Sequence, residues 1–158
     1  MDKILIAHRG NTAGRFESYE NEPKYIDKAL GLGFDVEVDV WYQDNQLYLG
    51  HGEPLYGVNR DWFSDRIDGL WIHCKNIETL VYFMENPTSI CNGFLKYHRF
   101  FLHKTDEAVI TSRGDIWVFP GKQPIRNSIA VLPELFDDDL SLCKGICSDN
   151  IGKYKKEI

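Results

Sequence analysis

Phe34-Asp35-Val36-Glu37-Val38-Asp39-Val40 alternates acid and valine, the period-two signature of a β-strand. Asp35, Glu37 and Asp39 fall on one face and the three valines on the other. Two readings of that strand compete. In a half-exposed strand the acids face water and the valines face a core. In a parallel barrel the outer face of each strand packs beneath helices, so the valines point outward and the acids gather in the mouth. Carboxylates gathered there repel one another unless a cation, or a positive group on a substrate, balances them.

Working outward, residues 3–7 read as a buried first strand that ends at His8-Arg9-Gly10. Residues 11–16 form a loop. Residues 19–32 read as a helix with Ile26, Ala29 and Leu30 as its apolar stripe, Pro23 in its first turn, and Gly31 and Gly33 at its end. Beyond the acid–valine strand, residues 43–46 form a turn, and a short strand at 47–49 runs into Gly50-His51-Gly52. The next buried strand is residues 70–75. A helix over 77–84 follows, packing through Leu80, Val81 and Met84. Strand candidates then recur at 100–103, 108–111, 116–119, 128–132 and 145–149, with Gly114 and Pro120-Gly121 among the separators. No fixed-period repeat or low-complexity segment interrupts them.

Strands alternating with helices in the first half argue for parallel βαβ units, and eight strand-like pieces beside the short one at 47–49 argue for a barrel. The 158 residues allow about 20 per unit, against roughly 30 for a usual βαβ unit. The expected fold is therefore a single α/β domain over residues 1–158. It is a compact TIM-type (β/α) barrel with several outer helices shortened or missing in the second half. The thin cover predicts association into a homo-oligomer.

Composition narrows the function. A net charge of −6 argues against a general nucleic-acid binder but leaves room for a local phosphate site. No run of 18 apolar residues marks a membrane span, and the N-terminus enters a strand without a signal-peptide core. Cys74, Cys91, Cys143 and Cys147 lack zinc-type spacing, so reduced thiols in a cytoplasmic protein are expected.

Polar residues recur at the C-terminal ends of the strands: His8-Arg9, Glu37 with Asp39, His73 with Lys75, His103, and Asp149. In a parallel barrel that edge is where catalytic groups converge. Ala7-His8-Arg9-Gly10, Glu20-Asn21, Glu37-x-Asp39 and His51, in that order and spacing, resemble the glycerophosphodiester phosphodiesterase family, within the phosphatidylinositol-phospholipase-C-like phosphodiesterases. The resemblance is strongest over residues 4–52, about a third of the chain. It implies that His8 and His51 are the acid–base pair and that Glu37 and Asp39 bind a divalent metal. It makes Arg9 a phosphate contact and Glu20 a further ligand or a partner behind the ligands. Hard oxygen ligands imply Mg or Ca, with Mn as the other candidate.

The chemistry suits these residue types. A phosphodiester's negative charge repels nucleophiles, so a metal and a guanidinium neutralise it while two imidazoles move protons near neutrality. Two positions depart from the family pattern. His73 stands where a glutamate usually precedes the lysine, here Lys75, by two residues, and Gly52 replaces a common aspartate. The first leaves several alternatives open: weaker metal binding, a turn toward Mn or Zn, no third protein ligand, or Lys75 supplying the positive charge. His73, His103 and Asp149 are additional site candidates. Trp71, Trp117, Phe101 and Phe119 read mainly as core, with Trp117 and Phe119 able to line a pocket wall.

The expected activity is thus hydrolysis of a glycerophosphodiester or similar small soluble phosphodiester. The rival is a non-catalytic protein that binds a phosphate ligand on a degenerate barrel of the same kind.

Overall fold

In the computed structural model, which describes residues 2–155, the acid–valine stretch opens the longest strand of the molecule. The strand, β2 (Asp35–Gln43), pairs in parallel with β1 (Ile4–His8) and β5 (Leu70–Cys74). Its far end pairs antiparallel with β3 (Gln46–Leu49), which in turn pairs with β4 (Tyr56–Val58). The remaining strands of this sheet are β8 (Phe100–Leu102), β9 (Ala108–Ile110), β10 (Ile116–Val118), β11 (Ser128–Val131) and β12 (Gly145–Ser148). From edge to edge the curled sheet runs β8-β5-β2-β1-β12-β11-β10-β9. All of these are parallel neighbours except β9, which runs antiparallel to β10. Ser112, just beyond β9, donates its backbone N–H to the Phe100 carbonyl at 2.8 Å and draws the two edges together.

Both faces of this sheet are buried. The valines Val36, Val38 and Val40 have no exposed surface and pack outward against Ile26, Ala29 and Phe83 of the helices. Each fully buried valine contributes about 1.5–3 kcal/mol. The inner face holds a second cluster: Ile6, Trp71, Phe101, Trp117, Ile129, Val131 and Cys147. Glu37 and Asp39 share that inner face and are also buried, so the solvent-facing reading of the strand does not hold.

Three α-helices cover the outside: α1 (Pro23–Gly31), α2 (Arg60–Asp65) and α3 (Ile77–Glu85). Pro23 opens α1, and Gly33, at φ 87°, ends it with its N–H on the Leu30 carbonyl. The side chains of Asn59 and Asn76 cap α2 and α3 by accepting from Trp62 and Thr79.

The expected TIM-type barrel is overturned. Among the described residues ten of the twelve strands form a curled mixed sheet resembling half a barrel, and three α-helices are too few to follow each strand. The reason is chain economy. Parallel neighbours need a crossover of a dozen or more residues, whereas a two-residue turn makes an antiparallel hairpin. Asp44-Asn45, both at positive φ, join β2 to β3, and Asn92-Gly93 likewise join β6 (Thr88–Cys91) to β7 (Phe94–Tyr97) in a separate two-stranded sheet. Among the described residues no α-helix follows Glu85. Among the described residues no helix is long and apolar enough to cross a membrane, and the four cysteines are unpaired.

At the base of the β6–β7 hairpin His98 is buried. Its Nε2 lies 2.9 Å from Ser89 Oγ, and its Nδ1 has no hydrogen-bond partner. Burial, then the nearby Arg60 charge, pushes this imidazole down to about 4. An unfolded histidine titrates near 6.5, so the folded state resists a proton that the unfolded chain accepts. The stabilisation is present above pH 6.5 and is lost as pH falls toward 4. Thermal melts of wild type should therefore fall steadily across that window, and His98→Gln, which keeps a polar partner for Ser89 without the titration, should flatten the slope.

Candidate active site

Strand register builds the site. His8 pairs with Glu37, and Asp39 pairs with His73, whose other neighbour is Phe101. Paired residues in parallel strands point to the same face, so one inward row carries His8, Glu37, Asp39 and His73 at the C-terminal ends of the strands. His8, Glu37 and His73 line a cavity of about 430 Å³ together with Arg9, His51, Lys75, His103 and Lys104, and Asp39 lies buried beneath them. Its opposite wall is apolar, made by Trp117, Phe119, Pro120, Val131 and Leu132. A larger cleft of about 720 Å³ lies outside, between the β2–β3 hairpin and α3, away from the imidazoles.

Asp39 has no exposed surface, and its carboxylate is surrounded by donors. Asn21 donates from Nδ2 to Asp39 Oδ2 at 2.9 Å, and its Oδ1 accepts the Asp39 backbone N–H at 2.9 Å. Arg9 Nε lies 3.1 Å and His51 Nδ1 3.4 Å from Oδ2. His73 Nδ1 lies 3.0 Å and Lys75 Nζ 3.8 Å from Oδ1. Burial alone would raise this acid, but the contacts with His51 and His73 and the charges of His73 and Arg9 hold it well below the usual carboxylate range. The Arg9 and His73 contacts are close but not aligned as hydrogen bonds, so Arg9 Nε and Asp39 Oδ1 are each left without one.

The histidines differ in what holds them. His8 donates from Nδ1 to Asp149 Oδ1 at 2.8 Å, and Asn11 donates to the same oxygen at 2.8 Å. That leaves His8 Nε2 facing Glu37 Oε2 at 3.8 Å. Burial pushes the His8 ring down, but the Asp149 hydrogen bond and the Glu37 charge outweigh it, and the net shift is upward. His51 is half exposed, with Nε2 3.4 Å from Arg9 Nη2. A guanidinium only donates, so His51 Nε2 is the acceptor and Nδ1 carries the proton toward Asp39. Burial would lower His73 as well, yet the contacts with Asp39 and Glu37 raise it to about 9. Burial and the neighbouring His73 push His103 down to about 4, so it stays neutral.

Arg9 is gripped from several sides. Its Nη1 donates to Glu20 Oε2 at 3.2 Å, and its backbone N–H meets the Glu37 carbonyl at 3.0 Å. Glu20 Oε1 accepts from Arg15 Nε at 3.2 Å. Both Glu20 oxygens thus face guanidiniums, and Glu20 stands behind Arg9. The atoms close enough to share one ion belong to Glu37, Asp39 and His73. Among these, the buried Asp39 Oδ1 without a hydrogen bond is the atom that fits a cation. A second grouping, His8 with Glu20 and Asp149, is already satisfied by Asn11 and the two arginines.

Asn21 and Asn11 were not singled out as site residues from sequence, although Asn21 stands in the Glu20-Asn21 motif. Each orients a carboxylate of the site, Asp39 or Asp149. Asn21 sits at φ 64°, a conformation that asparagine adopts more readily than most residues.

Gly50 sets the height of His51. It lies at φ 153°, its N–H meets the Asp39 carbonyl at 3.1 Å, and an added Cβ would fall 2.0 Å from the Glu53 carbonyl oxygen. Gly50→Ala should destabilise the fold by about 1–3 kcal/mol in chemical denaturation and disorder the His51 contacts. Unchanged stability would show that the loop yields freely.

Compared with family models, curated proteins and solved structures, the chain matches none of them.

Proposed function

We propose that this chain is a metal-assisted phosphodiesterase acting on a glycerophosphodiester or similar small phosphodiester. The observation that carries the reading is the grouping around one cavity of two imidazoles, each with Nδ1 turned to an aspartate. His8 is anchored through Nδ1 on Asp149 with Nε2 free, and His51 presents Nε2 as an acceptor beside Arg9. The resemblance carried by His8-Arg9-Gly10, Glu20-Asn21, Glu37-x-Asp39 and His51 supports the same assignment.

A divalent metal held by Glu37 and Asp39 would supply positive charge beside the phosphate. Arg9, pinned by Glu20 and Asp39, offers its guanidinium to the phosphate oxygens, and Lys75 and Lys104 add positive charge at the cavity wall. His51 Nε2 accepts the proton of the attacking hydroxyl as its oxygen bonds to phosphorus. His8, raised toward the charged form, delivers its Nε2 proton to the leaving oxygen as that P–O bond breaks. Asp149 fixes the His8 ring and balances its charge. The apolar wall of Phe119, Pro120 and Leu132 receives the organic arm of the ester.

One feature favours the rival, a non-catalytic phosphate-binding protein. Arg9, Lys75, Lys104 and a protonated His73 already make a cationic pocket without a metal.

Hydrolysis of bis(p-nitrophenyl) phosphate with added Mg, Ca or Mn separates the two. Wild type should turn over only with metal. His8→Ala should lose about 10²–10⁴-fold in kcat, the usual weight of a general acid, and Glu37→Gln should lose the metal dependence. Full turnover by His8→Ala would remove the acid–base assignment. Phosphate binding by calorimetry without turnover under any metal would establish the rival.

A further inference from the structure

We propose that Nδ1 of His73 is the third protein ligand of the divalent metal beside Glu37 and Asp39, and that this nitrogen turns the site toward Mn(II), Co(II) and Zn(II) and away from Mg(II) and Ca(II). The inference rests on the reading that Glu37 and Asp39 hold a metal.

The ring of His73 is fixed by two contacts. Its face stacks on Phe101, with centroids 5.2 Å apart and planes 9° from parallel. Its Nε2 lies 3.1 Å from the backbone carbonyl of His103. A carbonyl oxygen only accepts, so Nε2 carries a hydrogen and the ring turns Nδ1 toward the acids, the nitrogen that a cation binds once it displaces the Nδ1 proton. A ring nitrogen that donates to a backbone carbonyl while its other nitrogen faces a cation site is the usual arrangement of a metal-binding histidine.

What Nδ1 faces is consistent with that. Asp39 Oδ1 is 3.0 Å away and Glu37 Oε1 3.5 Å away. These are the spacings of neighbouring ligands around an ion whose bonds are about 2.0–2.4 Å long. Asp39 has no exposed surface, and Oδ1 is the oxygen without a hydrogen bond. Three donor atoms therefore stand within reach of one ion, and a cation that takes the place of the Nδ1 proton satisfies all of them.

The metal preference follows from the donor set. Imidazole suits Zn, affinity at a mixed nitrogen and carboxylate site rises from Mn to Co, and Mg and Ca prefer oxygen throughout. Lys75 Nζ lies 3.8 Å from Asp39 Oδ1, and an ammonium donates but offers no lone pair to a metal. His8 is turned by Asp149 to face Glu37 Oε2, the other oxygen of that carboxylate.

Metal-stripped protein titrated with Mn, Mg and Ca by calorimetry tests the preference, and pulsed EPR of the Mn(II) form detects a bound nitrogen without reference to activity. Wild type should bind Mn at least about ten-fold more tightly than Mg and show nitrogen coupling. His73→Gln should lose about 10–100-fold in Mn affinity, together with the coupling. His73→Glu should regain Mg and Ca. Absence of nitrogen coupling in wild-type Mn(II) protein overturns the inference without needing any variant to fold. Coupling and affinity unchanged in His73→Gln overturn it while leaving the Glu37–Asp39 metal site standing. Binding of no ion at millimolar concentration removes that metal site and the inference with it.

Discussion

The burial of the Asp39 carboxylate is the constraint that organises this molecule. An ionised acid taken out of water costs several kcal/mol unless its oxygens are paired. The pairing is drawn from across the chain: Asn21 from the turn before α1, Arg9 from the end of β1, His51 from the loop after β3, and His73 and Lys75 from the end of β5. No two of these donors are close in sequence except His73 and Lys75. The acid therefore adds side-chain ties at the cavity floor to segments that the strand ladders and turn bonds already hold side by side.

The backbone bends to make this possible. Arg9 lies at φ 55° and Asn21 at φ 64°, both in the left-handed region, and Gly10 at φ 90° follows Arg9 directly. Arginine in that region carries strain of order 1 kcal/mol. The strain is held by the Arg9 N–H on the Glu37 carbonyl and by the Asn21 N–H on the Arg9 carbonyl. These bonds lock the turn after β1 over the end of β2 and aim the guanidinium back at Glu20 and Asp39.

Much of the local structure was legible in the residues, because alternation and caps are local signals. The strands around 3–7, 34–40, 70–75 and 145–149 fall where the apolar pattern places them. Strand direction is not a local signal. Nothing in Ala108–Ile110 distinguishes an antiparallel edge from a parallel barrel strand, and the barrel expectation failed there and at β3 and β4. The β6–β7 hairpin was overlooked although Asn92-Gly93 signals a tight turn, since apolar Ile90, Phe94 and Leu95 are exposed and follow no buried alternation. At the site, His8, Arg9, Glu37, His51, His73, Lys75 and His103 line one cavity, with Asp39 beneath them and Asp149 behind His8. Glu20 stands between Arg9 and Arg15, and only Arg15, five residues before it, is a local signal of that.

The pairing of Glu37 with His8 and Asp39 with His73 has a consequence for how the chain can vary. Deleting one residue within β2 would leave its length and greasiness nearly intact, yet it would present valines to the cavity and acids to the helices. Insertions and deletions should therefore accumulate in connecting stretches, such as residues 119–127 or 132–144, and leave the parity of β1, β2 and β5 alone.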